Sequence, residues 1–213
     1  MMAGYVLYGG RQTGSIAVEA ALALLGVEHQ RIEVRREAGE HLTEAFTAIN
    51  PRQQVPVLVL PDGTVVTEGP AILAHLADSR PEAGLAHPPG SPARALQDRW
   101  TAFLHANVYE AMLREVMADR YTDDPDGAAG VQRAAVDYVR RHFAIIEAEI
   151  DEGPYLFGAR MTMADVFLWM LTAWVDPDWL EATCPKVARL RDAGTAQPAL
   201  AEVLARHFGE VAG

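Results

Sequence analysis

The stretch Val55-Pro56-Val57-Leu58-Val59-Leu60, followed by Asp62-Gly63 and by Val65-Val66-Thr67-Glu68-Gly69-Pro70-Ala71-Ile72, decides how this chain is read. Two short β-rich runs flank a turn dipeptide, the pattern of a hairpin. Pro56 stands at the head of the first run. Glu68 stands just ahead of a helix whose first turn accepts Pro70. A main-chain edge beside a carboxylate and a helix start describes a surface that can hold the backbone and amino end of a small peptide.

Upstream, Tyr5-Val6-Leu7-Tyr8 predicts a strand ended by Gly9-Gly10. From Ser15 to Leu25 the spacing of Val18, Ala21, Leu22 and Leu25 predicts a helix with one apolar face, which Gly26 is placed to terminate. Strand character returns at Arg31-Ile32-Glu33-Val34, and a short polar helix is expected from Glu40 to Ala48, before Asn50-Pro51. The hairpin runs follow, at Val55 to Leu60 and Thr64 to Val66, then a helix from Pro70 to about Asp78. The order β-α-β-α-β-β-α is that of a small mixed sheet with helices against it. Pro81, Gly84, Pro88, Pro89, Gly90 and Pro92 then crowd a stretch suited to a connector. Beyond it the β signal nearly disappears, and helices are expected at about 93–118, 131–150, 163–174, 185–192 and 196–207. The expected division is a first domain at 1–80, a linker at 81–92 and an all-helical domain at 93–213.

A chain of 213 residues, 50% of them hydrophobic, has ample material for a core. Its 18 Lys and Arg stand against 29 Asp and Glu, a formal net charge of −11 that makes nucleic acids and anionic membranes poor partners. One cysteine leaves no internal disulfide framework and no dithiol pair. The opening Met1-Met2-Ala3-Gly4-Tyr5 lacks the basic head and apolar run of a signal peptide, so a soluble cytoplasmic protein is expected. The histidines show no ligand spacing, and no metal is expected. Thr162 followed by Asp165 resembles a capping box, which makes Asp165 structural. Cys184 precedes Pro185 at a helix entrance and reads as a small buried residue.

Three stretches carry a family resemblance. They are Asn50-Pro51 to Gln54-Val55-Pro56; Asp62-Gly63 through Thr67-Glu68-Gly69 and Ala71-Ile72 to His75-Leu76-Ala77-Asp78; and Gly158 with Thr162-Met163-Ala164-Asp165. In that order the chain resembles a glutathione S-transferase over essentially its whole length, nearest the bacterial beta type in its tripeptide-site motif. The resemblance implies an α/β thioredoxin-like amino-terminal domain and an all-α carboxyl-terminal domain, with glutathione as co-substrate. It implies a cis peptide at Val55-Pro56 and pairing of the Val55 main chain with the cysteinyl part of glutathione. Glu68 and Gly69 would take the γ-glutamyl end, and Gln54 the glycyl or cysteinyl part.

The family's chemistry requires a thiolate, and a hydroxyl or helix-terminal amides near the first strand-to-helix junction should stabilise it. Candidates there are Tyr8, Gln12, Thr13, Gly14 and Ser15. Tyr8 falls where tyrosine-type members hold their phenol, Gln12 where serine-type members hold their hydroxyl, and Gly14 where the beta type holds cysteine. Ser15 sits at the helix start, so Ser15 and Tyr8 both stand as catalytic candidates. The helical domain should wall the electrophile, with His105, Asn107, Tyr109 and Met112 as candidates.

The implied activity is conjugation of glutathione to a small apolar electrophile. The alternatives are a glutathione-dependent isomerase, reductase or dehalogenase, and a noncatalytic glutathione-binding or protein-interaction module. A homodimer is the family's common state.

Overall fold

The computed structural model describes residues 4 to 209. Met1-Met2-Ala3, read above as free of a signal segment, lies outside them. The described chain forms two compact units, one holding residues up to Ala86 together with those from Gly194 onward, the other His87–Ala193.

In the first unit β1 (Tyr5–Gly9), α1 (Ser15–Leu24), β2 (His29–Glu33), α2 (Glu44–Ile49), β3 (Val57–Val59), β4 (Val65–Thr67) and α3 (Gly69–Asp78) follow one another. The sheet order is β2-β1-β3-β4, with β1 parallel to β2 and antiparallel to β3, and β3 antiparallel to β4. This is the thioredoxin-like arrangement expected. Local chemistry sets its corners. Gly26 takes φ 59° at the end of α1, as a helix stop requires. The hairpin turn has Gly63 at φ 88° and the Asp62 carboxylate accepting from Thr64 N–H at 2.9 Å. The polar helix expected from Glu40 to Ala48 instead divides into a 3-10 turn over Glu40–Leu42 and α2, because Thr43 caps α2 by accepting from Phe46 N–H. β2 begins two residues earlier than expected, since its register with β1 starts at Tyr5 opposite His29.

The second unit holds α4 (Pro92–Phe103), a π-helical turn (Leu104–Tyr109), α5 (Glu110–Val116), α6 (Ala128–Glu149), α7 (Met163–Thr172), α8 (Pro177–Thr183) and most of α9 (Pro185–Thr195). The single helix expected over 93–118 is thus α4 and α5 joined through a widened turn. All ten residues of α7 are buried, as its all-round apolar sequence implies. Its start is the expected capping box: Asp165 accepts from Thr162 N–H and O–H, both at 2.7 Å, and from Leu156 N–H at 2.6 Å. Cys184 is buried, and burial pushes its thiol pKa up.

The last helix, α10 (Pro198–Phe208), corrects the expected division at its far end: it packs on α1 and belongs to the first unit rather than to the helical one. The reason lies in α1, whose residues from Ser15 to Leu22 are buried in an unbroken run. A sheet covers one side of a helix only, so α3 and α10 must cover the rest. Leu200 and Val203 of α10 are buried, each stabilising by roughly 2 kcal/mol through apolar burial. Among the described residues no helix is long and apolar enough to cross a membrane.

Candidate functional site

The sheet register assembles the site. Tyr8 pairs with Val57, and Val57 with Thr67. One step further along these strands the same line runs through Gly9, Pro56 and Glu68. Three segments far apart in sequence therefore end side by side, at the carboxyl ends of β1 and β4 and the amino end of β3. The Val55-Pro56 peptide is cis, as the resemblance implied.

Among the described residues three non-glycine residues take a positive φ, namely Gln12 (53°), Gln53 (56°) and Glu68 (65°). They lie on the β1–α1 loop, the α2–β3 loop and the β4–α3 junction, three of the loops at this end of the sheet. Such backbone is costly by about 1 kcal/mol or more per residue and persists where surroundings over-determine it.

The junction loop is tightly braced. Ser15 is fully buried; its hydroxyl donates to Gly10 O at 3.0 Å and accepts from Gly10 N–H at 3.2 Å. Thr13 Oγ1 lies 2.8 Å from Ser15 Oγ and donates to Gly10 O at 2.8 Å. Both glycines are required by close approach: a Cβ on Gly9 would fall 2.9 Å from Ser15 Oγ, and one on Gly10 would fall 3.0 Å from Val34 O. The Gly10 position also lies 3.7 Å from Val55 Cγ2, which brings this loop against the proline loop. Tyr8 is half-buried and packs with Val55 and Ile49 on the cluster of Val34, Phe46 and Val57, its ring edge-on to Phe46.

On the opposite side Asn50 moulds the proline loop. It is 4% exposed, donates from Nδ2 to Gln54 O at 2.8 Å and accepts at Oδ1 from Arg52 N–H at 3.1 Å. Sequence reading saw Asn50 as a helix breaker; its polar side chain next to Pro51 was the available signal for this second role. The Gln54 side chain is exposed. Glu68 pairs with Arg52 across 2.6 Å at the surface, and Gly69 opens α3 as a buried residue.

In the helical unit the π-helical turn carries three of the four expected electrophile-wall residues. His105 stacks on Phe167 (5.9 Å, 14°), and Tyr109 packs edge-on to His105 and tilted on Trp174. Asn107 is turned to another partner, accepting from Tyr138 O–H at 3.0 Å and donating to Phe103 O at 3.2 Å. Met112 lies in the core, 7% exposed. His105 and Tyr109 thus share one aromatic cluster, while Asn107 joins Tyr138. Among the described residues no group of three or more His, Cys, Asp or Glu gathers as a metal would need.

Residues 15–79 match the family described as glutathione S-transferase, N-terminal domain, and residues 107–206 the family described as glutathione S-transferase, C-terminal domain. The chain is 29% identical over 203 residues to an uncharacterised GST-like protein, YncG, of Escherichia coli K12, covering 94% of this chain and 97% of the other. It is 28% identical over 206 residues to a maleylacetoacetate isomerase of Pseudomonas aeruginosa, covering 89% and 90%. A glutathione transferase homolog from Sulfitobacter, crystallised with bound glutathione, matches with a TM-score of 0.88 and 27% identity, over 97% of this chain and 99% of that one.

Proposed function

The chain belongs to the glutathione S-transferase family, and we propose that it binds glutathione where Gly9, Pro56 and Glu68 line up and activates its thiol for attack on a small apolar electrophile. The observation that carries this reading is the convergence of the junction loop, the proline loop and the strained Glu68 at one end of the sheet. The Sulfitobacter homolog's bound glutathione supports the choice of ligand.

In this reading the Val55 main chain pairs with the cysteinyl unit as an added strand would. The Glu68 carboxylate meets the γ-glutamyl ammonium, while amides at Gly69 and the start of α3 face its carboxylate. Gln54, exposed beside them, takes the glycyl part. An ordinary thiol, with a pKa of about 8.5, is only a few per cent ionised at neutral pH, so a donor at the sulfur raises the reactive fraction. Of the two candidate hydroxyls, Ser15 acts by bracing the loop, because its hydrogen bonds to Gly10 occupy it. Tyr8, half-buried beside Val55, supplies the donor to the sulfur. His105 and Tyr109 present the aromatic wall for the electrophile, and two copies of the 23.2 kDa chain form a homodimer in the cytoplasm.

A titration of thiolate absorbance with glutathione bound tests this. Tyr8→Phe is expected to raise the bound thiol's pKa by about 1 unit, a tenfold loss of thiolate below it. Ser15→Ala should act chiefly on stability. A bound thiol in the wild type with an ordinary pKa would remove the activation, and absence of glutathione binding would remove the whole reading.

A second reading, glutathione-dependent isomerisation at the same site, is favoured by the near-full-length similarity to the Pseudomonas maleylacetoacetate isomerase. There the thiolate adds to a conjugated double bond, the resulting single bond rotates, and the thiolate leaves again. Total glutathione then stays constant through turnover, whereas conjugation consumes one per product. Product analysis separates the two.

A further inference from the structure

Helix α10 reaches the junction loop through one side chain that the reading above does not use. His207 is 1% exposed, and its Nδ1 accepts from Gln12 N–H at 3.1 Å across 195 residues of sequence. Its Nε2 lies 3.1 Å from Oε1 of the buried Glu19 on α1. Its own carbonyl accepts from Arg11 Nη2 at 3.2 Å. Two successive loop residues, Arg11 and Gln12, are thus tied to one residue of the last helix.

Donor and acceptor counting fixes the imidazole. Nδ1 accepts the Gln12 amide and so carries no proton; Nε2 carries the proton and donates it to Glu19. Glu19 is itself pinned by Arg31 Nε at 2.6 Å and Arg206 Nη1 at 2.9 Å. The carboxylate, held by two cations, therefore orients a ring that holds a main-chain amide. That amide belongs to Gln12, whose φ of 53° the loop adopts against its intrinsic preference. A merely space-filling histidine would need neither the tautomer nor the amide contact.

We propose that His207 is a positioning residue for the loop that follows the thiol-activating Tyr8, holding the positive-φ Gln12 main chain from α10 while Glu19 fixes its ring. This inference rests on the glutathione reading. When the His207 hold is lost, Gln12 relaxes toward ordinary backbone, and the loop that follows β1 no longer holds Tyr8, the donor to the sulfur, in one geometry.

Nitrogen NMR of the ligand-free wild type gives the first test. It should show His207 protonated at Nε2 alone, with a scalar coupling across the hydrogen bond from Gln12 N to Nδ1; protonation at Nδ1 would overturn the proposal. The second test compares His207→Ala with Leu200→Ala, which loosens α10 without touching the relay. His207→Ala should raise the bound glutathione thiol's pKa by about half a unit, leaving about threefold less thiolate. It should also speed hydrogen exchange at the Gln12 amide at least tenfold, with glutathione Kd within threefold of wild type. Leu200→Ala should leave the thiol pKa in place at a comparable loss of Tm. Equal pKa shifts in the two variants, or none in His207→Ala, would sink the positioning role. Failure of the wild type to bind glutathione would instead strike the functional reading, while the ligand-free tautomer and exchange rate still report on the relay.

Discussion

Glu19 on α1 and Asp165 on α7 are the two acidic side chains buried among the described residues, one in each compact unit, and opposite chemistry keeps them there. Among the described residues Asp165 is met only by neutral donors from its own neighbourhood, Thr162 three residues back and Leu156 nine back. Burial wins over those hydrogen bonds and pushes its carboxyl pKa up to about 6. Burial also raises that of Glu19, but hydrogen bonds from His207 and Arg31 outweigh it and bring the carboxyl down to about 2. The lesson is that neutral hydrogen bonds hold a carboxyl in place, whereas cations hold it ionised. The two cations, Arg31 and Arg206, come from 12 and 187 residues away, and the His207 N–H that joins them from 188. Asp165 therefore ties a local turn to its helix, and Glu19 ties together α1, β2 and α10.

The largest effect expected is at the local site. Asp165→Ala removes the cap and leaves the Leu156 and Thr162 amides without their acceptor in a buried place, at about 3–4 kcal/mol. Urea unfolding followed by circular dichroism measures it. Asp165→Asn keeps the volume and one acceptor and should cost about half as much. Glu19→Gln should cost about 2 kcal/mol, less than a fully buried pair would. Arg31 keeps Glu33 at 2.9 Å, and Arg206 is half exposed, so water compensates part of the loss.

Acid titration of stability sharpens the contrast because the signs oppose. Glu19 titrates near 2 folded and near 4.5 unfolded, so its contribution is present above about pH 4.5 and drains away as pH falls toward 2. Asp165 titrates near 6 folded and near 3.8 unfolded, so the fold holds a proton that the unfolded chain has released; stability falls as pH rises through that window. Each term is of order 3 kcal/mol at most. Glu19→Gln should flatten the profile below pH 4.5, and Asp165→Asn should flatten it between about 4 and 6. Parallel profiles for both variants and wild type would dissolve the distinction.

The same contrast explains how much the sequence disclosed. Thr162 and Asp165 sit three apart, so the capping box was legible, as was the hairpin at Asp62-Gly63 with Glu68 beyond it. Helix α8 was missed although Asp176-Pro177 announces it: the Asp176 side chain accepts from Trp179 N–H at its start. The attachment of α10 to the first unit had no local signal, because a buried Glu on an apolar helix states a need for cations without naming them. The inward turn of Ser15 was hidden for a similar reason. A serine at a helix start reads alike whether its hydroxyl faces a ligand or, as here, Gly10.

Glu68 supplies a third carboxylate against which the first two can be judged, and the smallest stability effect with the sharpest functional one. It is partly exposed, its pair with Arg52 is open to solvent, and such pairs contribute about 0–1 kcal/mol. Its φ of 65° is one that glycine adopts without strain. Glu68→Gly is therefore expected to leave stability unchanged or raise it by about 0.5 kcal/mol, since relief of the backbone offsets the lost pair and the added chain freedom. In the glutathione reading the same change removes the charged partner of the ligand's ammonium and should weaken binding tenfold or more, as a charge-assisted hydrogen bond of about 1.5–3 kcal/mol implies. Calorimetric binding beside urea unfolding measures both quantities on one variant. A strained acid that stabilised the fold would lose stability and affinity together; one kept for its ligand loses affinity alone.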